Sequence, residues 1–157
     1  MTRSRKFLLL LLALALVYAV EWSASAFTQS SANTWYTTLE KPSWTPPKLA
    51  FPIVWTLLYT LIALSFWLIL CDRRAYKTSV FVPFFVQLTL NFTWSFAFFY
   101  LRSSLLGLFN IGLLLAAILW TIVSFRRFSR WAAWLLVPYF FWVVYASALN
   151  LRIWMLN

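Results

Sequence analysis

Five stretches of mostly apolar residues, each long enough to cross a bilayer, occupy most of this 157-residue chain. A membrane-spanning helix needs about 20 such residues. The runs do not alternate with period two, as the strands of a membrane barrel would. We therefore predict an all-α membrane protein with one domain, a five-helix bundle over residues 1–157. The predicted helices are 7–27, 46–71, 79–101, 105–125 and 131–154, with a loop over 28–45.

The composition excludes most other classes of protein. Charged residues make up 10% of the chain and hydrophobic residues 64%, whereas a soluble domain carries about 25% charged residues. The chain has no His and a single Cys. Catalytic triads and zinc sites that need imidazole are therefore excluded, as are an internal disulfide and a cysteine-based metal cluster. No metal site is expected.

The net charge of +10 is explained by membrane topology. Nine basic residues precede the first span or lie between spans two and three and between spans four and five. They are Arg3, Arg5, Lys6, Arg73, Arg74, Lys77, Arg126, Arg127 and Arg130. The other side has four: Lys41, Lys48, Arg102 and Arg152. The positive-inside rule then predicts a cytoplasmic N-terminus, with the first loop and the C-terminus outside. No nucleic-acid partner is implied.

The first loop is unusual because it combines aromatic residues with proline. Residues 34–47 contain Trp35, Tyr36, Trp44 and three prolines. Proline restricts its own backbone and that of the preceding residue, so the loop loses little entropy when it becomes ordered. We predict that this loop caps a ligand pocket. The alternative is that its aromatic residues belong to the belt at the membrane surface.

Three motifs resemble the translocator protein family (TspO, the tryptophan-rich sensory proteins). The first is Trp35-Tyr36-x-x-Leu39-x-Lys41-Pro42-Ser43-Trp44-Thr45-Pro46-Pro47 in the loop. The second is Gln87-Leu-x-Leu-Asn91-x-x-Trp94-Ser95, and the third is Ala133-Trp134-Leu-Leu-x-Pro138-Tyr139-x-x-Trp142 with Ala146, Leu149 and Asn150. The resemblance covers essentially the whole chain. It also favours an uncleaved first helix, whereas residues 3–26 alone are equally consistent with a secretory signal peptide.

The resemblance implies a membrane protein that binds porphyrins and other hydrophobic ligands, including isoquinoline and benzodiazepine-type drugs. It implies a homodimer in the bacterial inner membrane, with a role in stress sensing or tetrapyrrole traffic. The sterol-recognition motif of the vertebrate relatives is missing, because Leu151 stands where its tyrosine is expected. The predicted ligand-binding residues are Trp35, Trp44, Phe51, Trp55, Tyr59, Asn91, Trp94, Ser95, Trp142 and Ala146.

Residue spacing supports part of this site. Asn91, Trp94 and Ser95 share one helical face at i, i+3 and i+4, and Trp142 and Ala146 share another. An amide inside the membrane is expected to face the bundle and not lipid. Hydrogen bonding between helices is the alternative role for Asn91.

Flat aromatic walls suit a tetrapyrrole, held by stacking and apolar burial. Haem proteins hold iron by His, Cys, Met or Tyr, and Cys71 lies near the cytoplasmic end of span two. We therefore predict that no cofactor is required and that metal-free protoporphyrin IX binds comparably to haem. Two alternative functions stay open. One is light-dependent breakdown of protoporphyrin, in which the resemblance assigns the reactive tryptophans to Trp55 and Trp142. The other is transport of porphyrin or lipid-like ligands.

Overall fold

The computed structural model describes residues 1–77 and 79–157, and within them it contains helices and no strand. The helices are α1 (Arg3–Ala32), α2 (Trp35–Thr38), α3 (Ala50–Leu70), α4 (Phe81–Ser95), α5 (Ser104–Arg126), α6 (Arg130–Leu135) and α7 (Val137–Leu156). A 3₁₀ turn covers Ala75–Lys77, and a π-helical turn covers Phe96–Tyr100 directly after α4. Five helical segments are long and apolar enough to cross a membrane. The predicted five-span, all-α architecture is confirmed.

Helix ends follow local capping chemistry, and several lie away from the predicted positions. Ser103 and Ser129 cap α5 and α6, because their hydroxyls accept backbone N–H bonds of 3.2 Å each. The first span continues to Ala32, five residues into the predicted loop. There Thr28 and Ser30 donate their hydroxyls back to carbonyls of the same helix, which keeps this polar stretch helical. The second span begins at Ala50 and not at residue 46.

The third and fifth spans depart from a regular α-helix. The backbone N–H of Leu101 bonds to the carbonyl of Phe96, five residues earlier, at 2.9 Å. This π-helical turn puts Phe98 and Phe99 together in the bundle interior. The fifth span is interrupted at Leu136 and resumes with Pro138 in the first turn of α7. Proline has no N–H for the preceding turn, which is a known cause of such breaks.

The helices pack as α1 against α3 and α4, α4 against α5, and α5 against α7. At the end that holds both Lys6 and Cys71, which we call the aromatic end, the core contains stacked rings. The rings of Phe66 and Phe84 are stacked with centroids 4.0 Å apart, and Phe84 also stacks on Phe125. At the opposite end, α1, α3, α4 and α7 line a cavity.

Candidate functional site

A cavity of about 610 Å³ lies between α1, α3, α4 and α7 at the end of the bundle remote from Cys71, and residues 33–48 contribute to its lining. Pockets for small molecules typically measure about 300–1,000 Å³ and are lined mostly by apolar groups with a few polar ones. This cavity has that character. Its aromatic lining residues are Tyr36, Phe51, Trp55, Tyr59, Trp94, Phe98 and Phe99.

The floor of the cavity is a hydrogen-bonded chain across three helices. The Tyr59 hydroxyl of α3 donates to Asn91 Oδ1 of α4, and Asn91 Nδ2 donates to the Tyr139 hydroxyl of α7 at 2.8 Å. All three side chains are buried. The Trp55 ring packs over this chain, with centroids 5.6 Å from Tyr59 and 6.3 Å from Tyr139. Asn91 therefore has two roles, because it joins helices by hydrogen bonds and also lines the cavity.

A second polar chain supports the wall formed by α4 and α7. Trp94 Nε1 donates to Asn150 Oδ1 at 3.2 Å, and Asn150 Nδ2 donates to the Ser104 carbonyl at 2.7 Å. Gly107 makes this possible. A Cβ there would lie 2.9 Å from both Asn150 Oδ1 and the Phe98 ring. The close approach of α5 thus fixes the Trp94 indole with its ring stacked on Phe98.

The π-helical turn builds the side of the cavity nearest the loop. The ring of Phe98 meets those of Trp35 and Tyr36 edge-on, and Tyr36 also contacts Phe99. The Ser31 hydroxyl of α1 donates to the Phe99 carbonyl at 2.6 Å. This bond joins the end of α1 to the turn at a place where both are buried. π-helical turns occur often at functional sites.

Residues 33–48, which we call the lid, are held together by polar contacts of their own. Lys41 Nζ donates to the Tyr36 and Leu39 carbonyls and lies 4.9 Å from the centroid of the Tyr36 ring. Burial raises the pKa of the Tyr36 phenol above its ordinary value, so this hydroxyl stays protonated at neutral pH. The lid therefore has its own internal anchor in Lys41.

Two contacts join the lid to α7. The Asn157 side chain accepts from the Glu40 N–H at 2.9 Å and donates to the Glu40 carbonyl at 3.0 Å. The Tyr145 hydroxyl donates to the Trp44 carbonyl at 2.7 Å, and the two rings meet edge-on. The lid is thus attached through Glu40 and Trp44 to α7 and to Asn157, the residue that follows this helix.

Seven of the ten residues predicted from the sequence line the cavity, and three do not. The seven are Phe51, Trp55, Tyr59, Asn91, Trp94, Ser95 and Ala146. Trp35 packs on Phe98 behind the lining, and Trp44 is 44% exposed outside it. Trp142 packs against Phe51 and Tyr145, and its buried Nε1 has no hydrogen-bond partner among the described residues.

The sequence prediction missed several polar lining residues, among them Glu21 and Asn150. Both had a usable signal, because an ionisable or amide side chain inside an apolar span is expected to face a cavity or a partner.

Comparisons with known proteins agree with the resemblance seen in the motifs. Residues 13–155 match the model of the TspO/MBR family. The tryptophan-rich protein TspO of Chlorobaculum tepidum is 42% identical over 98% of this chain and 99% of its own length. The protein of the same name from Archaeoglobus fulgidus is 43% identical over 90% of this chain and 92% of its own. The translocator protein of Bos taurus is 31% identical over 83% of this chain and 79% of its own.

Proposed function

Because the chain belongs to the TspO/MBR family of integral, multi-pass membrane proteins, we propose that its cavity binds porphyrins and related flat hydrophobic ligands. One observation carries the proposal: a cavity of about 610 Å³ with aromatic walls and a buried polar floor. Drugs of the isoquinoline and benzodiazepine type fit the same description. The role proposed for this binding is stress sensing or tetrapyrrole traffic.

The walls suggest how a macrocycle is held. Trp55 on α3 and Trp94 on α4 offer indole rings, and Phe51 extends the first of these walls towards the lid. Stacking and apolar burial supply the affinity, while Lys48 at the rim is available to pair with a propionate. No iron ligand is needed in this scheme. Metal-free protoporphyrin IX and haem are expected to bind with similar affinity.

Equilibrium titration in lipid nanodiscs tests the proposal. Wild-type protein is titrated with protoporphyrin IX and with haem, and binding is followed by tryptophan fluorescence and porphyrin absorbance. Trp55→Leu removes one aromatic wall and is expected to weaken binding about fivefold, which corresponds to ~1 kcal/mol. Trp120→Leu is the matched control, because Trp120 lies on α5 and is 51% exposed on the outside of the bundle.

Two results would overturn the proposal. One is the absence of saturable binding above that of empty nanodiscs. The other is binding only when iron is present, which would contradict retention by stacking and burial.

Light-dependent breakdown of protoporphyrin is the enzymatic alternative. It draws support from Trp55, whose ring lines the cavity beside Tyr59. The second tryptophan, Trp142, does not line the cavity and packs against Phe51, which does. Illumination of the protoporphyrin complex decides between the two. A binding protein gives no new absorbing product, whereas an enzyme gives a product that disappears in Trp55→Phe and Trp142→Phe while binding persists. Net uptake into sealed vesicles would instead indicate transport.

The proposed setting is a homodimer in the bacterial inner membrane, with its N-terminus cytoplasmic and the lid outside. Gly112 and Ala116 lie exposed on one face of α5, and Gly112 has open space beside it. Small residues spaced in this way allow close helix approach. Chemical crosslinking in native membranes tests the dimer. Labelling of single cysteines, introduced into a Cys71→Ser background, by an impermeant reagent tests the orientation.

A further inference from the structure

Glu21 is an acidic residue inside the first membrane span, and its side chain lines the cavity. It lies six residues before Phe27, which puts it about 9 Å inside the predicted outer boundary of the span. Its carboxyl group is within reach of the Thr56 hydroxyl on α3. A carboxyl group at this depth is costly, and such groups usually have a cationic partner.

No cationic side chain pairs with Glu21 within residues 1–77 and 79–157. The ion pair found within 4 Å in those ranges joins Asp72 and Arg74, at the opposite end of the bundle. Lys41 directs its ammonium to lid carbonyls and to the Tyr36 ring. Lys48 lines the same cavity from the segment before α3, but its ammonium group does not lie within 4 Å of the Glu21 carboxylate. The carboxyl group therefore lines the cavity without an ion pair.

Aromatic rings of α3 line the same cavity as this carboxyl group. Trp55 immediately precedes Thr56 on α3, and Tyr59 lies one turn deeper, with the two rings 5.6 Å apart. The faces of aromatic rings attract cations, most strongly for tryptophan and in desolvated sites. An acidic group and an indole ring that line one cavity have the chemistry of a site for an organic cation.

We propose that the cavity binds lipophilic organic cations, with the Glu21 carboxylate as counter-ion and Trp55 as the aromatic wall. A bound cation pairs with the Glu21 carboxylate, which has no ion pair among the described residues. The aromatic part of the lining selects cations that are bulky and hydrophobic over small hydrated ions. This ligand class is opposite in charge to the porphyrin propionates, so the inference does not depend on porphyrin binding.

Tetraphenylphosphonium and tetraphenylborate are suitable probes, because they are close in shape and opposite in charge. Binding of each to the full chain in nanodiscs is measured by equilibrium dialysis, with empty nanodiscs subtracted. Wild-type protein is expected to bind the cation more tightly than the anion. Glu21→Gln is expected to weaken cation binding about tenfold, because the counter-ion is lost while size and polarity are kept. Glu21→Asp is expected to retain most of the affinity.

Glu40→Gln is the matched control. It removes the same charge from the chain, and Glu40 contacts Asn157 only through its backbone in the hydrogen bonds that hold the lid. Equal loss in the Glu40 and Glu21 variants would overturn the proposal, because it would reflect net charge alone. So would unchanged affinity in Glu21→Gln, or no preference for the cation in wild-type protein. The last comparison needs no variant, so it holds even if Glu21→Gln folds poorly.

Protoporphyrin titration of the same wild-type sample separates the two proposals. Binding of the phosphonium without protoporphyrin would overturn the porphyrin proposal and leave this one standing. Binding of protoporphyrin without the phosphonium would do the reverse.

Discussion

The two ends of the bundle are built from the same helices but are stabilised by different contacts. At the aromatic end, near Cys71, the rings of Phe66, Phe84 and Phe125 stack on one another. At the lid end, Asn91 and Asn150 each join neighbouring elements by hydrogen bonds around an open cavity. The aromatic end is therefore filled by stacked rings, whereas the lid end holds a cavity of about 610 Å³.

This difference assigns stability and ligand binding to separate parts of the molecule. In a membrane, helices associate through close packing and hydrogen bonds, because burial from water contributes little between them. The stacked phenylalanines supply packing. The amide chains hold the cavity walls at a fixed separation where packing is absent. Changes at the aromatic end should therefore alter stability more than ligand affinity. Changes at the lid end should alter ligand affinity more than stability.

The largest effect is expected for Phe84→Ala, which removes the central ring of the aromatic end. Phe84 is fully buried between Phe66 and Phe125. A cavity of this size costs about 3 kcal/mol. The free energy of unfolding, measured by denaturant titration in mixed micelles, should fall by that amount, while protoporphyrin affinity in the folded fraction changes less than twofold. Phe141→Ala is the control, because Phe141 is 64% exposed on α7. A large loss of affinity with Phe84→Ala would break the division between the two ends.

An intermediate effect is expected for Gly107→Ala, which disturbs the hydrogen-bonded residues that support the cavity wall. The new Cβ would stand 2.9 Å from Asn150 Oδ1 and the Phe98 ring. Overpacking of this kind destabilises a protein by about 1–3 kcal/mol, and here the new methyl group is expected to displace the Asn150 amide from Trp94. The affinity for protoporphyrin IX should fall about tenfold, and the fluorescence of Trp94 should shift. Gly112→Ala, on the same helix with no atom within 4 Å, should leave both unchanged. Identical behaviour of the two variants would contradict the role given to Gly107.

The smallest effect is expected for Tyr145→Phe, which removes the hydrogen bond to the Trp44 carbonyl. A hydrogen bond of this kind contributes about 0.5–1.5 kcal/mol. Opening of the lid should become a few times more frequent. Hydrogen–deuterium exchange at the Thr45 amide, which bonds to the Pro42 carbonyl, should rise by the same factor. Tyr100→Phe is the control, because Tyr100 is 56% exposed at the same end. Unchanged exchange in Tyr145→Phe would show that the aromatic contact alone holds the lid.

The five spans could be predicted because their lengths and apolar composition are set by the bilayer. Asn91, Trp94 and Ser95 could be assigned to one wall because the α-helical repeat puts them on one face. Trp142 was predicted to share a pocket wall with Ala146, but in the structure Ala146 lines the cavity and Trp142 does not. The Trp142 ring packs edge-on against Phe51 of α3, which lines the cavity. The packing between helices decides which ring lies innermost. The periodicity of one helix does not predict this packing.

The lid illustrates a second limit. Its prolines and aromatic residues indicated an ordered segment, but its anchors lie far away in the chain, at Tyr145 and Asn157. The polar stretch Thr28–Ser31 was assigned to the loop for a related reason. Polar residues usually mark a loop, and here hydroxyl bonds within α1 and the contact from Ser31 to Phe99 keep it helical.

The π-helical turn at Phe96–Tyr100 behaves as a single residue inserted into an otherwise regular helix. Each residue of an α-helix rotates the chain by about 100°. Deleting one residue from this turn would leave the span long enough to cross the bilayer and would change its hydropathy little. It would, however, rotate one part of the span relative to the other, so that either Phe98 or Asn91 would turn out of the interior. Natural length variation in this segment is therefore expected to change the ligand, even where every cavity-lining residue type is kept.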